Sequence, residues 1–214
     1  MVVHMDRTFF FDVVQEALFK GAMTQPQVVG ATAILDAWER RFAHADRRWL
    51  AYILATAYHE TAYTMQPVRE TLAESDVRAV EILETAFAAG RLSWVKTPYW
   101  RPDEDGRSWL GRGLVQLTHK RNYEAMSVLT GIDLVADPDR AMEMDVAVMI
   151  LIEGMLQGSF TGHKLEDHLN ATTEDWVNAR RIVNGMDRAE KLAAYAVAFD
   201  AAIRPDAASG RLRG

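Results

Sequence analysis

Residues 46–63 read DRRWLAYILATAYHETAY. Their apolar spacing is that of a helix, not the alternation of a strand. Asp46 stands where an N-cap belongs, so the spacing predicts a helix from Asp46 to about Tyr63. Leu50, Ile53, Leu54 and Ala57 fall on one stripe. At about 100° per residue, Glu60 lies roughly 20° from Ile53 around the helix. It would then stand at the edge of the apolar face, one turn before the helix ends. Desolvation there disfavours a charged carboxyl, and a general acid needs its proton held in that way. A solvated glutamate near a helix end fits the same spacing.

The segments on either side have the same period. Phe9, Phe10, Val13, Val14, Ala17 and Leu18 form a stripe that stops at Gly21. Pro26 suits the first turn of a second helix, which carries Val28, Ile34, Leu35, Trp38 and Phe42. Ser75 or Asp76 can cap a further helix with Val77, Val80, Leu83 and Phe87, stopped by Gly90. Residues 97–112 hold Pro98, Pro102, Asp103, Glu104, Asp105 and Gly106 without period, which predicts a flexible loop. Helical patterns resume near Thr118 and end at Gly131, and Asp137-Pro138 opens another. Thr172 with Asp175 matches a capping box before a helix reaching Asn184. A last helix spans about 187–203, and the tail after Pro205 is small and polar. The expected fold is all-α in one domain, 1–214, with a catalytic core over about 25–203. A small hairpin or extended segment is expected before or at Gly111, beside the cleft.

Composition narrows the chemistry. The 214 residues are 49 % hydrophobic and 25 % charged, with a formal net charge of −6. No basic stripe interleaved with aromatics marks a nucleic-acid partner. There is no cysteine, which removes thiolate metal sites and a cysteine nucleophile. The opening MVVHMDRTFFFDVV is broken by His4, Asp6, Arg7 and Asp12, so no secretory h-region is expected. No apolar run is long enough to span a bilayer. The arginines at 204, 211 and 213 are read as a solubilising end rather than a membrane contact.

Candidate site residues come from three places. Glu70 follows a turn at Pro67, ten residues after Glu60. As a general base it would hold a water on the far face of a sugar ring, which in an inverting glycosidase requires carboxyls about 6.5–9.5 Å apart. By spacing alone it could be any loop carboxylate. His59 invites a zinc reading, but position 63 is Tyr63, so the HExxH pairing of two histidines on one helix face is missing. His59 is read as a supporting or substrate-side residue, and no metal or other cofactor is expected. Finally, GRGLVQLTHKRNY spans 111–123. Its glycines around Arg112 permit close backbone approach, and Leu114 to Leu117 alternate partly, as in a short extended stretch. Gln116, Thr118 and Asn122 are neutral donors and acceptors suited to sugar hydroxyls and acetamido groups. The same segment also reads as a glycine-bounded turn with Thr118 capping the next helix.

Four motifs occur in order: HET at 59–61, RE at 69–70, GRGLVQLTHKRNY at 111–123 and RRIVNGMD at 180–187. In this the chain resembles the family 19 glycoside hydrolases, which include chitinases and bacteriophage endolysins. DLVADPDRA (133–141) and GSFTGHKL (158–165) resemble the endolysin branch. The resemblance implies a lysozyme-like or chitinase-like helical domain and an inverting mechanism without a cofactor. Glu60 matches the general acid, Glu70 the general base and Thr118 a hydroxyl that helps hold the attacking water. Gln116, Asn122 and Asn184 match substrate-binding positions, and Arg112 a structural or cleft residue. The loop from Glu60 to Glu70 is much shorter than in plant chitinases, which leaves Asp103, Glu104 and Asp105 as alternative bases.

The expected substrate is the β-1,4-linked amino-sugar strand of peptidoglycan, with chitin as the alternative. A short Glu60–Glu70 loop leaves a cleft with fewer walls, as a polymer with lactyl-peptide branches requires. The implied enzyme is a monomer made in a host cytoplasm without a signal peptide, reaching the wall through a holin-made lesion. Two rivals fit parts of the same sequence. A silent wall-binding module would keep Gln116, Asn122 and Asn184 without needing the two acids. A lytic transglycosylase would need only one acid.

Overall fold

In a computed structural model, residues 5–203 are described; the 204–214 tail, with its three arginines, lies outside them, as does His4. The helices are α1 (Arg7–Leu18), α2 (Gln25–Phe42), α3 (Arg47–Glu60), α4 (Asp76–Ala88), α5 (Lys120–Thr130), α6 (Met144–Gln157), the single turn α7 (Leu165–His168) and α8 (Ala189–Ala202). Short 3-10 turns occupy Glu70–Leu72, Pro138–Met142 and Asn178–Ile182. Strands β1 (Val68–Arg69) and β2 (Arg112–Gly113) pair antiparallel, with Val68 opposite Gly113 and Arg69 opposite Arg112. The fold is all-α with this one small extended pair. Among the described residues no helix is long and apolar enough to cross a membrane.

Caps set the helix starts. Asp6 accepts from the Phe9 amide, Asp46 from Arg48 and Ser75 from Arg78. Thr24 and Gln27 form a reciprocal capping box, with Pro26 in the first turn of α2. Such caps satisfy amides that a helix start leaves without partners. Gly131 and Gly158 close α5 and α6 in the left-handed region, at φ 72° and 70°.

The core departs from the striped helix expected at 46–63. Every residue from Leu50 to Tyr58 is buried, on all faces of α3. Helix α6 is enclosed in the same way from Val146 to Met155, save for Met149. A helix that is apolar all round belongs inside a bundle. Around α3 stand α8, which packs along it most extensively, and α2 and α6; α1 leans on α8, and α5 on α6. Helix α3 also ends at Glu60, three residues earlier than expected. Ala62 and Tyr63 adopt φ 49° and 73°, which a helix cannot continue.

A second, smaller core forms under α4, where Ala79, Leu83, Trp100 and Leu110 are buried together with Phe87 and Tyr99 against them. It changes the reading of residues 97–112. This segment is not a loose loop, because Trp100 is fully buried and Ser108 Oγ donates to the Trp100 carbonyl at 2.6 Å.

Two further expectations fail. No helix runs from Thr172 to Asn184. Asp175 instead accepts from the Asn178 amide at 2.9 Å and from its side-chain nitrogen at 2.8 Å, starting only the 3-10 turn at 178–182. Residues 114–117 do not extend β2 either: Gln116 takes φ 54°, and the chain turns back so that Leu117 bridges Arg112. The partner of β2 is the distant segment 68–69, not a neighbour in sequence.

Candidate functional site

The motif residues gather in two places joined by the segment 61–69. The first is the C-terminal end of α3. A carboxylate there faces the negative end of the helix dipole, so it needs a cation. Arg180, carried on the 3-10 turn at 178–182, supplies one: its Nη1 donates to Glu60 Oε1 at 2.6 Å. Arg180 is only 2 % exposed, and its Nε donates to the Asp187 carbonyl at 3.2 Å. The Glu60 side chain keeps 15 % of its exposure, and its second oxygen has no hydrogen bond within the described residues. The surroundings of Glu60 are thus a salt bridge, not the apolar edge that helix geometry suggested.

His59 lies half-buried beside it, with Nδ1 buried and unpartnered. Burial lowers its pKa; Glu60 acts against the shift, and Arg180, Arg188 and Lys191 add to it. Across from His59 on α8, the Tyr195 ring stands 6.5 Å away, centre to centre. Asn184 follows Arg180 closely, its amide donating to the Arg180 carbonyl at 3.1 Å. Its side-chain oxygen accepts from the Gly185 amide at 2.8 Å, so it shapes the VNG turn.

The second place is built around Gly111. The Glu70 amide donates to the Gly111 carbonyl at 2.7 Å, and the Gly111 amide donates back to Glu70 Oε2 at 2.8 Å. Tyr99 donates its hydroxyl to Glu70 Oε1 at 2.7 Å. Burial, and next the Glu70 charge, push the Tyr99 pKa upward, so Tyr99 is a firm donor. The His119 ring lies 4.4 Å from that of Tyr99; burial lowers its pKa, with Glu70 opposing. A Cβ on Gly111 would come within 2.7 Å of Gln116 Oε1 and 3.3 Å of Thr118 Cγ2. A side chain there would push the Gln116 amide aside from its place in the turn.

The other motif residues divide by use. Gln116 Nε2 donates to the Val68 carbonyl at 2.8 Å, tying the turn to β1. Asn122 Nδ2 donates to the Thr118 carbonyl at 2.7 Å. Thr118 does not cap α5; the cap position is His119, at φ 67° and without a side-chain bond. Arg112 is 2 % exposed, and all three of its guanidinium nitrogens are engaged within the protein. Its partners are Asp76, Asp139, the Ser108 and Leu110 carbonyls and the Tyr123 hydroxyl. This is a structural hub rather than a substrate contact, because burial of a guanidinium requires all its donors to be met. Of the loop acids, Asp103 accepts from Asp105, Arg107 and Trp109 and so holds a turn. Those bonds, led by the Arg107 amide, lower its pKa. Asp105 pairs with Arg107 at 3.0 Å, and Glu104 is exposed.

The connector between the two places is strained. Ala62, Tyr63 and Met65 within it, and Thr71 and Leu72 just past Glu70, have positive φ, five of the nine non-glycine residues that do among the described residues. Thr61 Oγ1 donates to the Ala57 carbonyl at 2.7 Å and accepts from the Met65 amide at 3.0 Å, fixing the turn. Helix α2 supports it from behind. Gln66 donates to the Pro26 carbonyl at 2.6 Å, and Gly30 approaches so closely that a Cβ there would lie 1.7 Å from the Met65 carbonyl oxygen.

Arg180, Tyr99, Lys191 and Tyr195 were not singled out by sequence reasoning. Arg180 sits inside the quoted RRIVNGMD, but which of its two arginines turns inward depends on tertiary packing. Among the described residues no three His, Asp or Glu side chains are grouped to hold a metal ion. Compared with known proteins, the chain matches no family model, no curated protein and no solved structure.

Proposed function

We propose that this protein is a glycoside hydrolase of the family 19 type, of its endolysin branch, cutting β-1,4-linked amino-sugar strands of peptidoglycan. One observation carries the reading. Four motifs far apart in sequence meet as two pairs, Glu60 with Arg180 and Glu70 with Gly111. Each pair fixes a carboxyl on rigid backbone, and positioned carboxyls are what acid–base cleavage of a glycoside needs. In this proposal Glu60 is the general acid and delivers a proton to the leaving glycosidic oxygen from the carboxyl oxygen that Arg180 does not bond. Arg180 then stabilises the carboxylate that remains. Glu70, oriented by Tyr99 and Gly111, takes a proton from the attacking water, and the Thr118 hydroxyl steadies that water. Gln116, Asn122 and Asn184 shape the walls beside it. The enzyme acts as a monomer on the cell wall after release from the cytoplasm.

A second reading, the lytic transglycosylase, is favoured by the fact that both Glu70 oxygens already hold protein donors. It leaves Glu60 as the single acid. Digestion of purified peptidoglycan followed by mass spectrometry separates the two: hydrolysis adds a water to each new end, whereas transglycosylation leaves an anhydro-sugar. Chitin oligomers digested in parallel test the alternative substrate. Glu60→Gln is expected to lower turnover by at least about 10²-fold while staying folded. Substantial wall lysis by the folded variant would overturn the proposal.

A further inference from the structure

Beside the Glu60 end of α3 lies a cavity of about 510 Å³ with Phe19, Lys20, Tyr58, Tyr63 and Tyr195 in its wall and no acidic residue. Lys191, exposed on α8, reaches over its rim: its Nζ donates to the Tyr63 hydroxyl at 3.1 Å and stands 5.7 Å and 5.8 Å from the centres of the Tyr63 and Tyr195 rings. No carboxylate pairs with Lys191 among the described residues; its contacts are the two tyrosines. Tyr58 and Tyr63 of its wall flank Glu60 in the chain, and the His59 ring stands 6.5 Å from that of Tyr195, so the cavity lies beside the candidate acid. Tyrosine faces suit sugar rings and their acetamido groups, while an unpaired ammonium suits an anion. A neutral amino-sugar strand would leave that ammonium to water.

We infer that the Tyr63–Tyr195–Lys191 corner is a subsite for the carboxylate-bearing branch of the amino-sugar strand, and that it makes the enzyme prefer peptidoglycan to chitin. This rests on the proposed glycosidase reading for its substrate, but the binding step needs no turnover. The branch carboxylate forms a charge-assisted hydrogen bond with Lys191 in exchange for the Tyr63 hydroxyl, and the two rings pack on the adjoining sugar.

Calorimetric titration of the full chain, wild type and Lys191→Met, tests it with three probes: muramyl dipeptide, N-acetylmuramic acid and di-N-acetylchitobiose. Lys191 is exposed, so the substitution leaves the core intact. Wild type should bind an acidic probe about tenfold more tightly than the neutral one, and Lys191→Met should abolish that preference. The lactyl carboxyl is free in N-acetylmuramic acid and amidated in the dipeptide, so preference for the dipeptide assigns the contact to the peptide carboxylate, preference for N-acetylmuramic acid assigns it to the lactyl carboxylate, and equal binding of both means that the corner takes a carboxylate at either position. No acidic preference in wild type, or one that persists in Lys191→Met, overturns the inference. Acidic preference together with a folded, active Glu60→Gln would sink the catalytic reading alone.

Discussion

At the scale of single residues, the pairing of Glu60 with Arg180 matters most. Arg180 is almost wholly enclosed, so removing its charge leaves Glu60 without a cation at the wrong end of a helix dipole. Arg180→Met should therefore destabilise the fold by up to about 3 kcal/mol, since breaking an enclosed ion pair costs more than the pair contributes. Adding Glu60→Met should recover part of that loss in a urea titration; a strictly additive double variant would contradict the pairing. Three imidazoles predict the pH response. Burial is the leading cause that lowers the pKa of His59, His119 and His168, and His163 adds to the lowering of the last. The unfolded chain thus binds these protons more tightly than the native one. Stability should hold above about pH 6.5 and fall as pH drops through that value, levelling off once the native imidazoles are protonated. The urea midpoint at pH 5.5 should lie below that at pH 7.5, and His168→Gln should narrow the gap.

At the scale of elements, the helices with local signals were legible. Pro26 in the first turn of α2, and Ser75, Gly90 and Gly131, mark ends that the backbone respects. Elements fixed by distant partners were not. The enclosure of α3 depends on α8, more than a hundred residues away, and periodicity cannot count the faces a bundle will cover. Asp175 looks like a helix cap in sequence, yet Leu169 bridges Glu174 just before it and the chain affords only a 3-10 turn. In the candidate site, Glu60, Glu70 and the Gly111 turn were legible as motifs. Their partners Arg180 and Tyr99 were not, because an arginine beside an arginine and a tyrosine in an aperiodic stretch give no spacing to read. The contact of α2 with the connector gives a direct test. Gly30→Ala should force α2 away from Met65, cost about 1–3 kcal/mol as overpacking does, and lower the proposed glycosidase activity by displacing the segment that links Glu60 to Glu70. Thermal melts and lysis assays on the same sample would check both effects.

At the scale of the whole molecule, two cores share one hinge of charge. The α4 lobe has its own buried cluster, and Arg112 ties it to the rest through Asp76 in α4 and Asp139 in the 138–142 turn. Arg69 reaches the same two acids. Arg112→Met would leave these carboxylates to Arg69 alone and strand the Ser108 carbonyl, with an expected loss of about 3 kcal/mol. Hydrogen exchange should locate it: amides of α4 and of residues 99–113 should speed up well before those of α3 and α6. Uniform acceleration across all helices would mean that the two cores open together.

The chain from Thr61 to Leu72 has one more consequence. Five of its residues with side chains are held in a conformation that glycine or asparagine adopts with less effort. For a protein engineer this is the most accessible reserve of thermal tolerance in the molecule, and Leu72, exposed at φ 58°, is its first position. For natural variation it is the reverse. Each relaxed backbone would also give the two carboxyls more freedom to wander, so under the proposed mechanism heat resistance and turnover compete within the same dozen residues.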